Sequence, residues 1–417
     1  MKKILISLII CLFLLFPQPV YADNEVPWWQ VQSVDTMKYS RDKAREKLGD
    51  RDFDMVIDVQ ISNIAKTGAT HVAIATPYDV EFLPILKRWV TAARKYQLNV
   101  WFRGNWAGWE GWFEYPSISR EEHLAKTKQF IEDNPGLFKD GDIFSSCPEC
   151  ENGGPGDPRK TGDVEGFRNF LINEYKISQT AFESIGKDVK TNYFSMNGDV
   201  AMLIMDPETT KALDGVVVID HYVESPKRLA DDIRRYAQAT GGKIVLGEFG
   251  APIPDLHGDM SEQEQAEWLD TAMLALAETP ELIGVNYWAN TGSSTQLWYE
   301  DGRPRSAVTV LTKYFQPQVA SGVVKDITGD KLDSVAVTSP YFHIVTGRDG
   351  QFILPFLESN PTLTISADGY DSQTVNLAYR SQPMTIILRK HREDWLFRLK
   401  KSITEFISSL FKKEYNF

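Results

Sequence analysis

Lys243-Ile244-Val245-Leu246-Gly247-Glu248-Phe249-Gly250 is a short apolar, β-branched run that stops on a glutamate between glycines. A run of this length and composition reads as a buried strand. A helical pattern at 227–239 precedes it and another at 261–278 follows, where Ser261 and Glu264 have capping-box spacing. The alternation repeats outward. Runs at 31–36, 71–76, 99–103, 142–147, 190–195, 215–220 and 284–287 read as further strands. Helical stretches at 52–66, 82–96, 120–133 and 164–185 lie among them, the first stopped by Gly68. Such alternation implies a parallel sheet, and eight units in about 290 residues fit an α/β fold of the (β/α)₈ TIM-barrel type over residues 23–317. No GxGxxG follows any run, so a dinucleotide fold is disfavoured and no cofactor is expected.

Beyond Gln316-Pro317 the period shortens. Runs at 319–324, 334–338, 351–355, 362–367 and 384–388 are separated by turn signals such as Asp349-Gly350 and Asp368-Gly369, which predicts a small antiparallel β-sandwich over 318–390. The last unit, 391–417, places Leu396, Leu399, Ile403, Phe406, Ile407 and Leu410 on one helical face, with Arg398, Lys400, Lys401, Lys412 and Lys413 largely elsewhere. A basic amphipathic C-terminal helix of this kind can lie on an anionic membrane surface or dock on its own protein. At the other end, Lys2-Lys3, an apolar run at 4–16 and Val20-Tyr21-Ala22 describe a secretory signal peptide at 1–22, with a retained anchor as the alternative. Export permits a disulfide between Cys147 and Cys150, the two cysteines of the mature chain.

The 57 acidic against 45 basic residues, net charge -12, argue against nucleic acid as partner. The aromatic content (11 Trp, 16 Tyr, 22 Phe) suits a carbohydrate ligand or a rich core.

Barrel chemistry sits at the C-terminal ends of the strands. The fourth run ends in Cys147-Pro148-Glu149-Cys150-Glu151 and the seventh in Glu248. Two carboxylates converging on one mouth are what glycosidic cleavage requires, one as proton donor and one as nucleophile or base. Glu149 is the nearer of the two strand-four candidates to the strand end, and Glu151 its rival. No metal-ligand set is recognisable among six scattered histidines, and no GxSxG elbow supports an esterase. A redox role for Cys147-x-x-Cys150 would need a helix where the sequence has a Gly/Pro loop.

With Glu248-Phe249-Gly250 at strand seven, Asp220-His221-Tyr222 at strand six and Tyr287-Trp288-Ala289-Asn290 at strand eight, the barrel resembles the clan A glycoside hydrolases, which include family 5. The resemblance implies Glu248 as nucleophile, Glu149 as acid/base, Tyr222 as hydrogen-bond donor to the nucleophile and Trp288 as a sugar-stacking floor. It also implies a retaining glycosidase acting on a β-linked poly- or oligosaccharide. Strand four departs from the pattern, because Pro148 stands where the clan usually has asparagine. Residues 318–390 resemble the carboxypeptidase regulatory-like, transthyretin-like domains, through Leu332-x-x-Val335-x-Val337, Asp349-Gly350-x-Phe352 and Ser366-Ala367-x-Gly369-Tyr370.

Further candidates for sugar contacts are Arg103, Asn105 and Trp106 after strand three, in the aromatic stretch 101–115, together with His221, Tyr78 and Asn197. Packing of a lid is the alternative for the aromatic stretch.

Overall fold

Strands buried on both faces need no polar alternation, and the barrel strands have none. The computed structural model describes residues 27–357, 362–377 and 383–391. The proposed signal at 1–22 and nearly all of the proposed tail helix at 391–417 lie outside them. Eight parallel strands form one sheet: β1 (Val31–Asp35), β2 (His71–Ile74), β3 (Asn99–Phe102), β4 (Ile143–Phe144), β5 (Ser195–Asn197), β6 (Val216–Asp220), β7 (Lys243–Phe249) and β8 (Leu282–Tyr287). Their order is β4-β3-β2-β1-β8-β7-β6-β5. The two ends meet through a parallel bridge between Ile143 and Lys190, so the sheet curls round on itself. The fifth strand starts later than the 190–195 run suggests. Lys190 makes the closing bridge, and regular pairing with β6 is taken up only at Ser195.

Inside the ring, Val31, Ala73, Trp101, Ile143, Tyr193, Val218 and Val245 form a buried layer. Such a layer makes the interior a packed core instead of a pore, each large side chain contributing roughly 1.5–3 kcal/mol. Helices follow the strands closely where expected. Arg120–Asp133 and Glu262–Ala277 both begin with capping boxes, from Ser119 with Glu122 and Ser261 with Glu264. Gly68, at φ +83°, ends the helix Phe53–Lys66 where its backbone lies against Phe315 and Gln316, leaving no room for a Cβ.

The helix Ser306–Phe315 leads directly into the second unit. Strands β9 (Gln318–Asp326), β12 (Gln351–Phe356) and β15 (Met384–Leu388) make one sheet in the order β12-β9-β15. Strands β10 (Ala336–Thr338), β11 (His343–Val345), β13 (Thr362–Ser366) and β14 (Gln373–Asn376) make the other, ordered β11-β10-β13-β14. A core of Val324, Val337, Leu354, Ile365, Val375 and Ile386 lies between them. One pair departs from the antiparallel expectation: β15 runs parallel to β9. Trp28 stacks edge-on against Phe342 (4.6 Å) and Tyr341 (5.5 Å), joining the sandwich to the barrel. Among the described residues no helix is long and apolar enough to cross a membrane.

Candidate active site

Because each barrel strand delivers its last side chains to one end, the mouth is assembled from β1, β3, β5, β6, β7 and β8. At its centre is Arg103, 1% exposed. Its Nη1 donates to Asp35 Oδ2 and the Gly247 carbonyl, both at 2.8 Å. Its Nη2 donates to Ser195 Oγ (3.1 Å) and Asp220 Oδ2 (3.2 Å). The same Nη2 lies 3.1 Å from Glu248 Oε1, too poorly aligned for a hydrogen bond. Burial works against the guanidinium charge, but Asp220, Glu248 and Asp35 outweigh it and hold the group cationic.

Glu248 Oε2 accepts from the Tyr222 hydroxyl at 2.9 Å. The Tyr222 ring meets Trp288 edge-on at 6.2 Å, and both rings are half-buried at the mouth. Burial pushes the Glu248 carboxyl up to about 7, opposed by Arg103 and Tyr222 and reinforced by the charges of Glu149 and Asp35. Burial pushes the Tyr222 hydroxyl far above its ordinary range, so it remains a donor.

Glu149 sits between the paired cysteines Cys147 and Cys150, whose Cα atoms are 5.2 Å apart. Its φ of +44° is left-handed, a conformation that costs a non-glycine residue and is held by the Glu149 N–H donating to the Ser195 carbonyl at 2.7 Å. One oxygen from each of Glu149, Asp220 and Glu248 lies within 4.8 Å of the others. At that distance two ionised carboxylates repel by about 3 kcal/mol at an effective dielectric of about 20. The cluster has the spacing of a cation site, but Arg103 already supplies the positive charge in contact with two of its members.

Glu151 is 3% exposed and points elsewhere. Its Oε1 accepts from Asn197 N (2.7 Å) and Nδ2 (3.1 Å), while Oε2 has no partner among the described residues. Burial pushes its carboxyl up to about 7. Asn197 is thus engaged with Glu151.

The structure does not bring the remaining candidates together with Glu149 and Glu248. The Tyr78 hydroxyl donates to the Ser145 carbonyl (2.7 Å) and its ring packs on Phe144 in the barrel wall. Asn105, fully buried, accepts from Trp106 N and donates to Glu110. Trp106 is 4% exposed, its indole N–H on Thr127 and its ring against Phe130. Trp109 stacks on Phe170. Most of the 101–115 stretch therefore packs as wall and lid, and Trp112, under the Arg41 guanidinium, is a half-buried exception. His221 turns toward the helix Pro226–Thr240, where Nε2 meets Asp232 Oδ2 at 2.9 Å. Burial lowers its pKa.

Asp35, Ser195, Asp220 and Asn286 belong to the cluster and were not singled out from the sequence. Asp35 and Asp220 end β1 and β6, so reading every strand end for carboxylates, as for Glu248, would have found them.

No protein-family model matches the chain, and no curated protein matches it in sequence. Similarity to solved structures is confined to low identity. A beta-glucuronidase from Bacteroides uniformis has TM-score 0.47 and 12% identity, over 86% of this chain and 46% of that one. An FMN-binding beta-glucuronidase from Facaelibacterium prausnitzii L2-6 has TM-score 0.47 and 12% identity, over 85% and 56%. A GH5_18 variant from Bifidobacterium longum subsp. longum ATCC 55813, in complex with Manb1-4GlcNAc, has TM-score 0.49 and 13% identity, over 72% and 84%. The chain spans about half the length of the first two.

Proposed function

We propose that this chain is a glycoside hydrolase that cleaves β-linked O-glycosidic bonds of a poly- or oligosaccharide with retention of configuration. The observation that carries the reading is the approach of Glu149 and Glu248 to within 4.8 Å at the strand ends. Retaining enzymes hold their carboxyls about 5–5.5 Å apart, whereas inverting enzymes need about 6.5–9.5 Å to admit a water.

In this mechanism Glu248 attacks the anomeric carbon while Glu149 protonates the departing oxygen, and a covalent glycosyl-enzyme results. Glu149 then takes a proton from water, which attacks the same carbon and releases the sugar. Arg103 and Tyr222 support the ionised nucleophile against its burial. Trp288, half-buried beside Tyr222, offers the flat apolar face on which a sugar ring can rest. Arg103 would act through Glu248, since its Nη1 and Nη2 donors are taken up by protein groups and it is buried.

Export through residues 1–22, an accessory role for residues 318–390 and surface or self-docking by the basic tail belong to the same proposal. The test is a screen of β-glycosides and β-glycans with the wild type and Glu248→Gln. Turnover that is lost in the variant supports the hydrolase. Glycan binding without turnover in either protein would favour a non-catalytic glycan-binding barrel.

A further inference from the structure

Four carboxyls, from Asp35, Glu149, Asp220 and Glu248, gather around a single guanidinium at the strand ends. Fully ionised, they would leave a net charge of three negatives around Arg103, in a place where Asp35 is wholly buried and Asp220 and Glu248 nearly so. With the acid proton on Glu149 two net negatives remain, and a low-dielectric site with that imbalance keeps a second proton. We propose that Asp220 is the residue that keeps it, acting as a positioning residue that stays neutral while Glu248 ionises beside it. This inference rests on the hydrolase reading for its meaning in catalysis, though not for its test.

Hydrogen-bond geometry distinguishes the four groups. Asp35 accepts three N–H donors, from Met37 N (2.7 Å), Arg103 Nη1 (2.8 Å) and Asn286 Nδ2 (3.1 Å), an environment built for an ionised carboxylate. Glu248 accepts the Tyr222 hydroxyl on one oxygen and keeps the other beside Arg103. Glu149 stands on the loop after β4, half-exposed at the mouth. Asp220 has no short N–H of its own, and its other partner is the Ser195 hydroxyl. Its oxygens lie 3.4 and 3.2 Å from Arg103 Nη2, an atom shared with Ser195 and Glu248.

The Asp220 side chain lies over Gly247, where a Cβ would come within 2.3 Å of Oδ1, so the backbone one residue before the nucleophile is shaped around this carboxyl. The groups facing it are Arg103 just after β3, Glu149 from the loop after β4, Ser195 from β5, Tyr222 just beyond its own strand and Glu248 from β7, with Asp35 of β1 on the far side of the shared guanidinium. Burial, reinforced by the charges of Glu248 and Glu149, pushes the Asp220 carboxyl well up despite Arg103 and the hydrogen bond with Ser195.

The experiment is infrared spectroscopy of the full chain at neutral pH, with carboxyl-¹³C aspartate or glutamate incorporated, on the wild type, Asp79→Asn and the Asp79→Asn/Asp220→Asn double variant. Asp79 is included because burial raises its carboxyl too. The expected result is a protonated-carboxyl band that shifts with labelled aspartate, survives Asp79→Asn and disappears when Asp220→Asn is added to it. Absence of an aspartate-sensitive band in Asp79→Asn, or its persistence in the Asp79→Asn/Asp220→Asn double variant, overturns the proposal. If the double variant does not fold, the Asp79→Asn spectrum decides alone.

The pH profile of kcat/KM gives a second readout. A neutral Asp220 predicts an acid limb that Asp220→Asn leaves in place. An ionised Asp220 predicts a downward move of about two units on removal of its charge, and that move overturns the proposal. Should no glycoside be hydrolysed by either protein, the hydrolase reading fails while the infrared result still decides this one.

Discussion

Replacing Tyr222 with phenylalanine removes one oxygen and leaves the ring against Trp288. What is lost is the 2.9 Å hydrogen bond to Glu248 Oε2. A hydrogen bond to an ionised group contributes about 1.5–3 kcal/mol, and it acts on the charged form only. At 1.36 kcal/mol per unit, its removal raises the Glu248 pKa by about one to two units. With Glu248 starting at about 7, the acid limb of kcat/KM moves to about 8–9. The loss is therefore pH-dependent: roughly ten- to hundredfold below the limb, and recovering as the medium becomes alkaline. The assay is kcat/KM against pH on the best glycoside found in the screen, with the thermal midpoint measured alongside. An equal loss at every pH with an unmoved limb, or no loss at all, refutes the reasoning that Tyr222 works through the charge of Glu248.

The acid/base assignment separates two variants. Glu149→Gln should lose turnover of substrates with poor leaving groups, whereas Glu151→Gln should retain it and, above pH 7, gain up to about 3 kcal/mol of stability by removing a buried charge, read from turnover and chemical denaturation. Overall stability should fall as pH rises from 5 to 8. Glu248 and Glu151 (each raised from 4.5 to about 7) and Glu110 (to about 8) bind protons more tightly folded than unfolded. Their contribution is full below pH 4.5 and is lost as pH climbs through 7 to 8, so a thermal midpoint that rises over this interval contradicts it. Arg103→Met should strand Asp35 and Glu248 without their cation, costing about 3–5 kcal/mol, or roughly 10 °C in the thermal midpoint, measured by calorimetry.

The barrel is legible in the sequence because strands covered on both faces become continuous β-branched runs, as at 215–220 and 243–247. Where that pressure relaxes, the pattern fades. β11 and β14 are three- and four-residue edge strands whose side chains, Val375 apart, are half-exposed or exposed, and no run of apolar residues marks them. The parallel pairing of β15 with β9 is a choice of partner, which local periodicity does not encode. In the site, Glu248 and Glu149 are legible because strand ends define the mouth. Tyr78, Asn105 and Trp106 also follow strand ends, but the chain turns them back into the wall, where the Ser145 carbonyl, Glu110 and Thr127 engage their polar atoms. Which way a loop folds is set by such distant partners. The central role of Arg103 depends likewise on Asp35 and Asp220, which are 68 and 117 residues away in the chain.

Trapping the glycosyl-enzyme tests the central claim most directly. A mechanism-based β-glycoside inactivator matched to the best substrate, followed by digestion and mass spectrometry, should add one glycosyl group to the peptide containing Glu248, and not in Glu248→Gln. Turnover with inverted product configuration and no adduct, or an adduct on Glu149 or Glu151, would contradict the assignment of Glu248 as the nucleophile of a retaining enzyme.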